Sequence, residues 1–329
     1  MNSTNKKIKP AGTLEQITGL GSVSLEKLYL SNITTLPQLA TLDLSILSEI
    51  TGLTGSACKK VLAHANSSYT FKMNTATSLI EKTIDRKYCT TNSKILDSLL
   101  SGGLEEGSTY EFYGAFGSGK TQIVFSTIAC FLTNPLFIDN KVLILDTENT
   151  FVATRLEEVL LNKKISKEEI TLLLNRVFIF RPKTVEEQII ILSRLKQEGE
   201  INSTQGLIKM DEIKYIGVDS LVCLFRSTFL GRATLQERQQ KINQHLSDLS
   251  SIVEDYNTFC IITNQVVSSP DPYTPDIIPV GGNIVAHAST HRIRLKRYAG
   301  GFRSARVMDS PNLPEVEVKF RVDQTGVRD

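Results

Sequence analysis

Residues Gly114-Ala115-Phe116-Gly117-Ser118-Gly119-Lys120-Thr121 narrow the folds open to this chain more than any other stretch. They meet the phosphate-loop pattern G-x-x-x-x-G-K-[ST] at every fixed position. The preceding residues Thr109–Tyr113 read as a buried strand. The following Gln122–Phe131 reads as a helix, with Ile123, Phe125, Ile128, Ala129 and Phe131 apolar. Strand, glycine-rich turn and helix start are what a polyphosphate demands. The glycines let the backbone wrap the anion, and the N–H groups of the turn and helix start point at it. Lys120 is then expected to reach the β- and γ-phosphates, and the Thr121 hydroxyl to help hold Mg²⁺. A plain Gly/Ser connecting turn is the alternative, but chance matches to four fixed positions in this length are on the order of 0.01.

A chain of 329 residues allows one large domain and one small one. Hydrophobic residues make up 41% and charged ones 22%, and no apolar run reaches the length of a membrane span. Met1–Lys9 is polar and lysine-bearing, so it reads as no secretory signal. The chain is therefore expected inside the cell, in cytoplasm or nucleoid, or in the nucleus of a eukaryote, with no membrane partner. A net charge of +2 is too mild to argue for nucleic acid by itself. Cys58, Cys89, Cys130, Cys223 and Cys260 contain no C-x-x-C pair and read as reduced core thiols.

Residues 1–13 read as a disordered polar tail. From Leu14 to Ala65 the chain nearly repeats itself. Ile17-Thr18-Gly19-Leu20-Gly21 leads into Leu25–Leu28, and Ile50-Thr51-Gly52-Leu53-Thr54-Gly55 leads into Lys59–Leu62. Each copy has the grammar of a helix–hairpin–helix. Such a hairpin exposes N–H groups to phosphate, with Lys27, Lys59 and Lys60 close behind, so a duplex-DNA clamp is one reading. A small helical protein-interaction module uses the same turn, and these residues leave both open. Residues 66–86 read as a linker, and 87–329 as the core. The linker keeps Tyr69, Phe71 and Met73, then Ala76. Apolar side chains held in a polar linker argue that they dock somewhere.

Beyond the phosphate loop, strand and helix patterns alternate. Val142–Asp146, Val177–Phe180, Tyr215–Ser220 and Phe259–Gln265 are apolar strands, most ending in polar residues. Unbroken apolar strands between helices predict an α/β fold with a largely parallel sheet covered on both faces. Ligands in such folds sit at the carboxyl ends of the strands. Asp219 is placed to order Mg²⁺, Glu148 to orient or deprotonate the attacking water, and Gln265 to feel the γ-phosphate. Strand-end polar residues also cap strands, which is the plainer reading of all three.

Two connections follow those strand ends, and both read as long loops without structure of their own. The first, 226–238, carries Arg226, Arg232 and Arg238. The second, 266–282, runs from Val266 through Pro270, Pro272, Pro275 and Pro279 to Gly281 and Gly282. Arginines beside the nucleotide-sensing strand suggest contacts to nucleic-acid phosphate, against a merely solvated surface. Thr290–Lys296 and Arg303–Met308 read as a hairpin, 309–315 as a rigid turn too polar for a core, and Val316–Val322 as a last strand.

Taken in order, these motifs resemble the RadA recombinases of archaea and their eukaryotic relatives, within the RecA class. The resemblance runs from about Leu14 to Asp329. It includes Gly114–Gln122, Asp146-Thr147-Glu148, Gly231-Arg232 to Gln239-Gln240, Thr263–Val266, Gly281–Ala288 and Asp309-Ser310-Pro311 to Pro314-Glu315. It implies a RecA-like phosphate-loop ATPase core with a helix–hairpin–helix N-terminal domain. The implied activity is an ATP- and Mg²⁺-dependent filament on single-stranded DNA that pairs and exchanges homologous strands. The two loops, with Val266, Gly281, Gly282 and Asn283, are then its DNA-binding loops. Gln122 closes the nucleotide cradle, Glu148 is the catalytic acid, Gln265 the γ-phosphate sensor, and Arg155 lies against adenine. The turn holding Asp309 and Pro314 covers nucleotide on the neighbouring subunit. His287, Met73 and Ala76 fall at subunit contacts of a helical filament or ring. Double-stranded DNA and recombination mediator proteins are further implied partners.

Three positions depart from the family pattern. Met73 stands where a phenylalanine docks the linker, Asn149 where a glycine follows the catalytic acid, and Val152-Ala153 where Arg-Pro is common. The rival readings are a regulatory paralogue that binds ATP and DNA without strand exchange, and a ring helicase or ATPase on the same core.

Overall fold

The computed structural model describes residues 14–69, 73–231, 233–268 and 277–329. The expected tail, Phe71, Arg232 and the prolines at 270, 272 and 275 lie outside the described residues. The chain divides into two compact units between Ile84 and Asp85.

The first unit is helical. A 3-10 turn, Leu14–Gln16, precedes α1 (Ser22–Leu30), α2 (Leu36–Ala40), α3 (Leu44–Thr51), α4 (Gly55–Ser68) and α5 (Ala76–Ile84). The second repeat copy is a complete helix–turn–helix. Gly52 ends α3 at φ 73°, a left-handed cap, and Thr54 starts α4 by accepting from the Ala57 N–H. The first copy corrects the expected symmetry, because its leading helix is only that 3-10 turn. Leu14, Leu28, Leu36, Leu39, Leu47, Cys58, Val61 and Ala65 fill the core of this unit. Helix α4 runs through Ser68, so the first three residues expected in the linker are helical.

The second unit opens with a short ladder, β1 (Tyr88–Cys89) against β2 (Leu104–Glu105), around α6 (Lys94–Leu99). Then come β3 (Thr109–Gly114), α7 (Lys120–Thr133), β4 (Lys141–Asp146), α8 (Ala153–Leu161), α9 (Lys167–Leu174), β5 (Val177–Phe180) and α10 (Val185–Glu198). A hairpin, β6 (Glu200–Ser203) and β7 (Gly206–Lys209), leads to β8 (Ile213–Asp219), α11 (Cys223–Thr228), α12 (Leu235–Tyr256) and β9 (Phe259–Asn264). The chain continues through β10 (Val266–Ser268), β11 (Ile277–Pro279), α13 (Gly282–Ala288), β12 (His291–Arg297), β13 (Phe302–Asp309), β14 (Glu317–Asp323) and β15 (Gly326–Arg328).

Among the described residues a nine-stranded sheet runs β15-β14-β13-β12-β3-β9-β8-β4-β5. From β12 to β5 all neighbours are parallel, and the three strands beyond β12 are antiparallel. The apolar strands obey the period of two. Val142, Ile144, Tyr215, Phe259 and Ile261 face one core with α7 and α8. Leu143, Leu145, Ile216, Val218, Cys260 and Ile262 face the other with α10 and α12. Covering both faces is why these strands lack polar alternation.

Two expected loops are more ordered than their composition implied. Arg226 lies in α11 and Arg238 in the first turn of α12, so only residues 229–234 separate the helices. Phe225 is buried and pulls α11 onto the core, a packing contact that the local arginines masked. The ends of the proline-bearing segment pair instead of hanging free, with Val266 opposite Pro279. The turn after β13 also corrects its reading, since Leu313 is buried in the core.

Candidate active site

The carboxyl ends of β3, β4, β8 and β9 meet around the glycine-rich loop. Gly114 begins that loop where nothing larger fits, since a Cβ there would stand 2.3 Å from the Leu295 carbonyl oxygen. Gly117 and Gly119 take φ of 73° and 104°, a backbone that glycine adopts freely. Lys120 Nζ donates to the carbonyls of Gly114 and Ala115 at 2.9 and 3.2 Å. Burial pushes its pKa down, opposed by the charges of Asp219 and Glu148. Thr121 Oγ1 donates to Asp219 Oδ2 at 2.8 Å, and the Thr263 hydroxyl bonds the other carboxylate oxygen. Burial raises the pKa of Asp219, against those two hydrogen bonds.

These residues fit a magnesium-bound polyphosphate. Gly117 holds its turn at φ 73°, with the tip of Arg297 2.9 Å from where a Cβ would stand. The Ser118 hydroxyl within the loop is buried without a hydrogen-bond partner. The Thr121 hydroxyl and Asp219 carboxylate form an all-oxygen donor pair, as a hard cation requires. A cleft of about 580 Å³ opens here, lined among others by Lys120, Gln122, Glu148, Arg155 and Arg303. Phe116 stands fully out at its rim.

Glu148 is bound from two sides. Its Oε1 accepts from Ser220 Oγ at 2.6 Å and from Gln265 Nε2 at 2.7 Å. Asp146, two residues earlier, is committed to structure. It accepts from the N–H groups of Thr150 and Phe151 and from Arg181 Nε at 2.9 to 3.1 Å. Asn149, where glycine is usual, takes φ 54°, so the turn keeps a left-handed residue with an asparagine in it. Arg155 is held by Gln122 Oε1 at 3.0 Å and by the carbonyls of Asp323 and Gln324 at 2.7 and 2.6 Å.

Of the DNA candidates, Arg226 touches this cluster. Arg226 Nη1 donates to Gln265 Oε1 at 2.9 Å. Arg238 is half-buried, Val266 opens β10, Gly281 caps α13, and Gly282 and Asn283 begin it. His287 is exposed near the end of α13, and Asp309 and Pro314 are exposed around the turn after β13. In the first unit Met73 is 87% exposed, and Ala76 starts α5 in the open beside exposed Leu79, Ile80 and Ile84.

Three contributors carry no sequence signal. Ser220 reads only as a strand end; its hydroxyl has no pattern that marks it. Arg303 reads as a hairpin residue and Arg297 falls just past the strand expected at 290–296, yet they flank Gly117 and Gly119. Burial and then Arg297 push the pKa of Arg303 down. Their distance in sequence from the loop hid them.

Residues 85–329, the whole second unit, match the Rad51 family model. This chain belongs to the Rad51 family. It is 36% identical over 321 residues to the DNA repair and recombination protein RadA of Methanoculleus marisnigri, covering 96% of this chain and 98% of that relative. A RecA-like core is therefore the family setting for the cleft at the carboxyl ends of β3, β4, β8 and β9. Among the described residues no helix is long and apolar enough to cross a membrane.

Proposed function

We propose that this chain is an ATP-dependent DNA recombinase that assembles on single-stranded DNA and exchanges homologous strands in recombination and repair. The observation that carries the reading is the extent of the relation to RadA, which spans the helical unit as well as the ATPase core. ATP is the substrate in the cleft. Lys120 and the N–H groups of the loop hold its β- and γ-phosphates, and Arg155 lies against the base. Thr121 and Asp219 would hold Mg²⁺, which supplies charge neutralisation on the phosphates when bound. Glu148 orients the attacking water and takes its proton. Ser220 donates to Oε1 and seats the acid from a buried position.

DNA phosphates meet Arg226, Arg232, Arg238 and the segment from Val266 to Asn283. Subunits join head to tail through Met73 and Ala76, with His287 and the turn at Asp309 and Pro314 facing the neighbour's nucleotide. The helical unit adds a second, duplex-binding surface through the Gly52 hairpin and exposed Lys59 and Lys60. Mediator proteins are the remaining partner class, and the place of action is the compartment that holds the DNA. The test is strand exchange between a circular single strand and a linear duplex, with ATP and Mg²⁺. Joint molecules and nicked circles are the expected products. ATP hydrolysis without them would make the chain a regulatory paralogue.

A further inference from the structure

Four side chains form one hydrogen-bonded line: Arg226 to Gln265, Gln265 to Glu148, and Ser220 to the same oxygen of Glu148. Chemistry fixes the direction of the middle link. A guanidinium only donates and a carboxylate only accepts, so a single orientation of the Gln265 amide satisfies both neighbours. Its carbonyl faces Arg226 and its NH₂ faces Glu148. Without the cation, the amide loses its second tether and its hold on Glu148 weakens. The two ends differ in setting. Ser220 is fully buried at the end of β8, whereas Arg226 is exposed on α11. The Gln265 backbone carbonyl accepts from the Val280 N–H at 3.0 Å, which roots the amide where the proline-bearing segment leaves and rejoins the core.

We propose that Arg226 is a positioning residue for hydrolysis, acting through Gln265 to hold Glu148 at rest until a DNA phosphate takes the guanidinium. This rests on the reading of Glu148 as the hydrolytic acid and of Arg226 as a DNA contact. A phosphate offers Arg226 a charged, bidentate acceptor in place of a neutral amide, so the exchange is favourable once a strand is bound. Gln265 is then released from Glu148, and Oε1 loses a donor that lowers its readiness to accept a proton. One exposed side chain thereby reports strand occupancy to the acid, while Ser220 keeps that acid seated.

The experiment is steady-state ATP hydrolysis by the full chain with and without saturating oligo-dT. Arg226→Ala is expected to raise the DNA-free kcat roughly two- to tenfold, the equilibrium worth of one exposed hydrogen bond. The stimulation that saturating oligo-dT gives over that rate should shrink by at least the same factor. Arg226→Lys keeps a donor on the Gln265 carbonyl and should restore the low DNA-free rate. A DNA-free rate in Arg226→Ala equal to or below wild type overturns the proposal and leaves Arg226 a phosphate contact only. Absence of hydrolysis in the wild type under both conditions overturns the ATPase reading first, and this inference with it.

Discussion

Thr121 and Asp219 stand 98 positions apart in sequence, and the hydroxyl of one donates to the carboxylate of the other at 2.8 Å. The first stands in the opening turn of the helix after the glycine-rich loop and the second closes a parallel strand two places across the sheet. Their meeting means that the sheet order itself assembles the oxygen pair for a cation. Neither residue needs a neighbour in sequence to do it.

Lys120→Ala should cost ATP affinity about 10- to 100-fold, because a charge-assisted contact to phosphate is lost. The fold should survive, since Lys120 Nζ touches only the loop carbonyls of Gly114 and Ala115. Nucleotide titration beside a thermal melt measures both. ATP affinity equal to wild type would remove the loop from the site.

Glu148→Gln should bind ATP normally and lower turnover at least about 100-fold, as loss of a general base does. Ser220→Ala is expected to lower kcat roughly tenfold with KM kept, because its hydroxyl seats the charged Oε1 from a buried position. A raised KM with unchanged kcat would make Ser220 only a strand cap.

His245 supplies a pH dependence of stability. It is fully buried, accepts at Nε2 from Gln188 Nε2 at 3.3 Å, and leaves Nδ1 without a partner. Burial lowers its pKa from 6.5 to about 4. The unfolded chain therefore binds the proton first, and the folded state is favoured fully only above pH 6.5. Stability should fall by about 3 kcal/mol between pH 6.5 and 4 through this group. Urea midpoints across that window should drop less steeply in His245→Gln than in the wild type; equal slopes would mean that another group carries the loss.

Ala76→Glu should give monomers or short oligomers that still bind ATP. Ala76 is exposed on its own chain, so a glutamate there leaves the fold alone. Buried in a neighbour's pocket it becomes an unpaired charge, costing several kcal/mol per contact. Met73→Phe should lengthen assemblies if the pocket takes a ring. Sedimentation without DNA reads both, and wild-type assembly of Ala76→Glu would move the contact to another surface.

The parallel sheet and its ligand edge were readable because unbroken apolar strands and a terminal acid each have one economical explanation. Val142 to Asp146 and Tyr215 to Asp219 are such strands. The hairpin 200–209 was not readable, since Glu200-Ile201-Asn202-Ser203 has neither a long apolar run nor a strong turn pair. Helix α11 hid for a related reason. Six residues with an arginine in them look like loop until buried Phe225 is known to anchor them. Of the site, the residues at fixed motif spacing could be named from the chain alone. Ser220, Arg297 and Arg303 act through space, and spacing cannot reveal them.

Glu111 lies in the middle of β3 with no exposure to solvent. Asn264 Nδ2 donates to one of its oxygens and Arg292 Nε to the other, each at 2.7 Å. The three residues come from β3, β9 and β12, adjacent in the sheet but 153 and 181 positions apart along the chain. A carboxylate cannot be dried without its partners, and removing one partner of such a pair costs about 3 to 5 kcal/mol. The dry, charged form of Glu111 is therefore favoured only once β12 is in place beside β3. One hidden acid thereby couples β12, the last parallel strand in the sequence, to the strand that leads into the nucleotide loop.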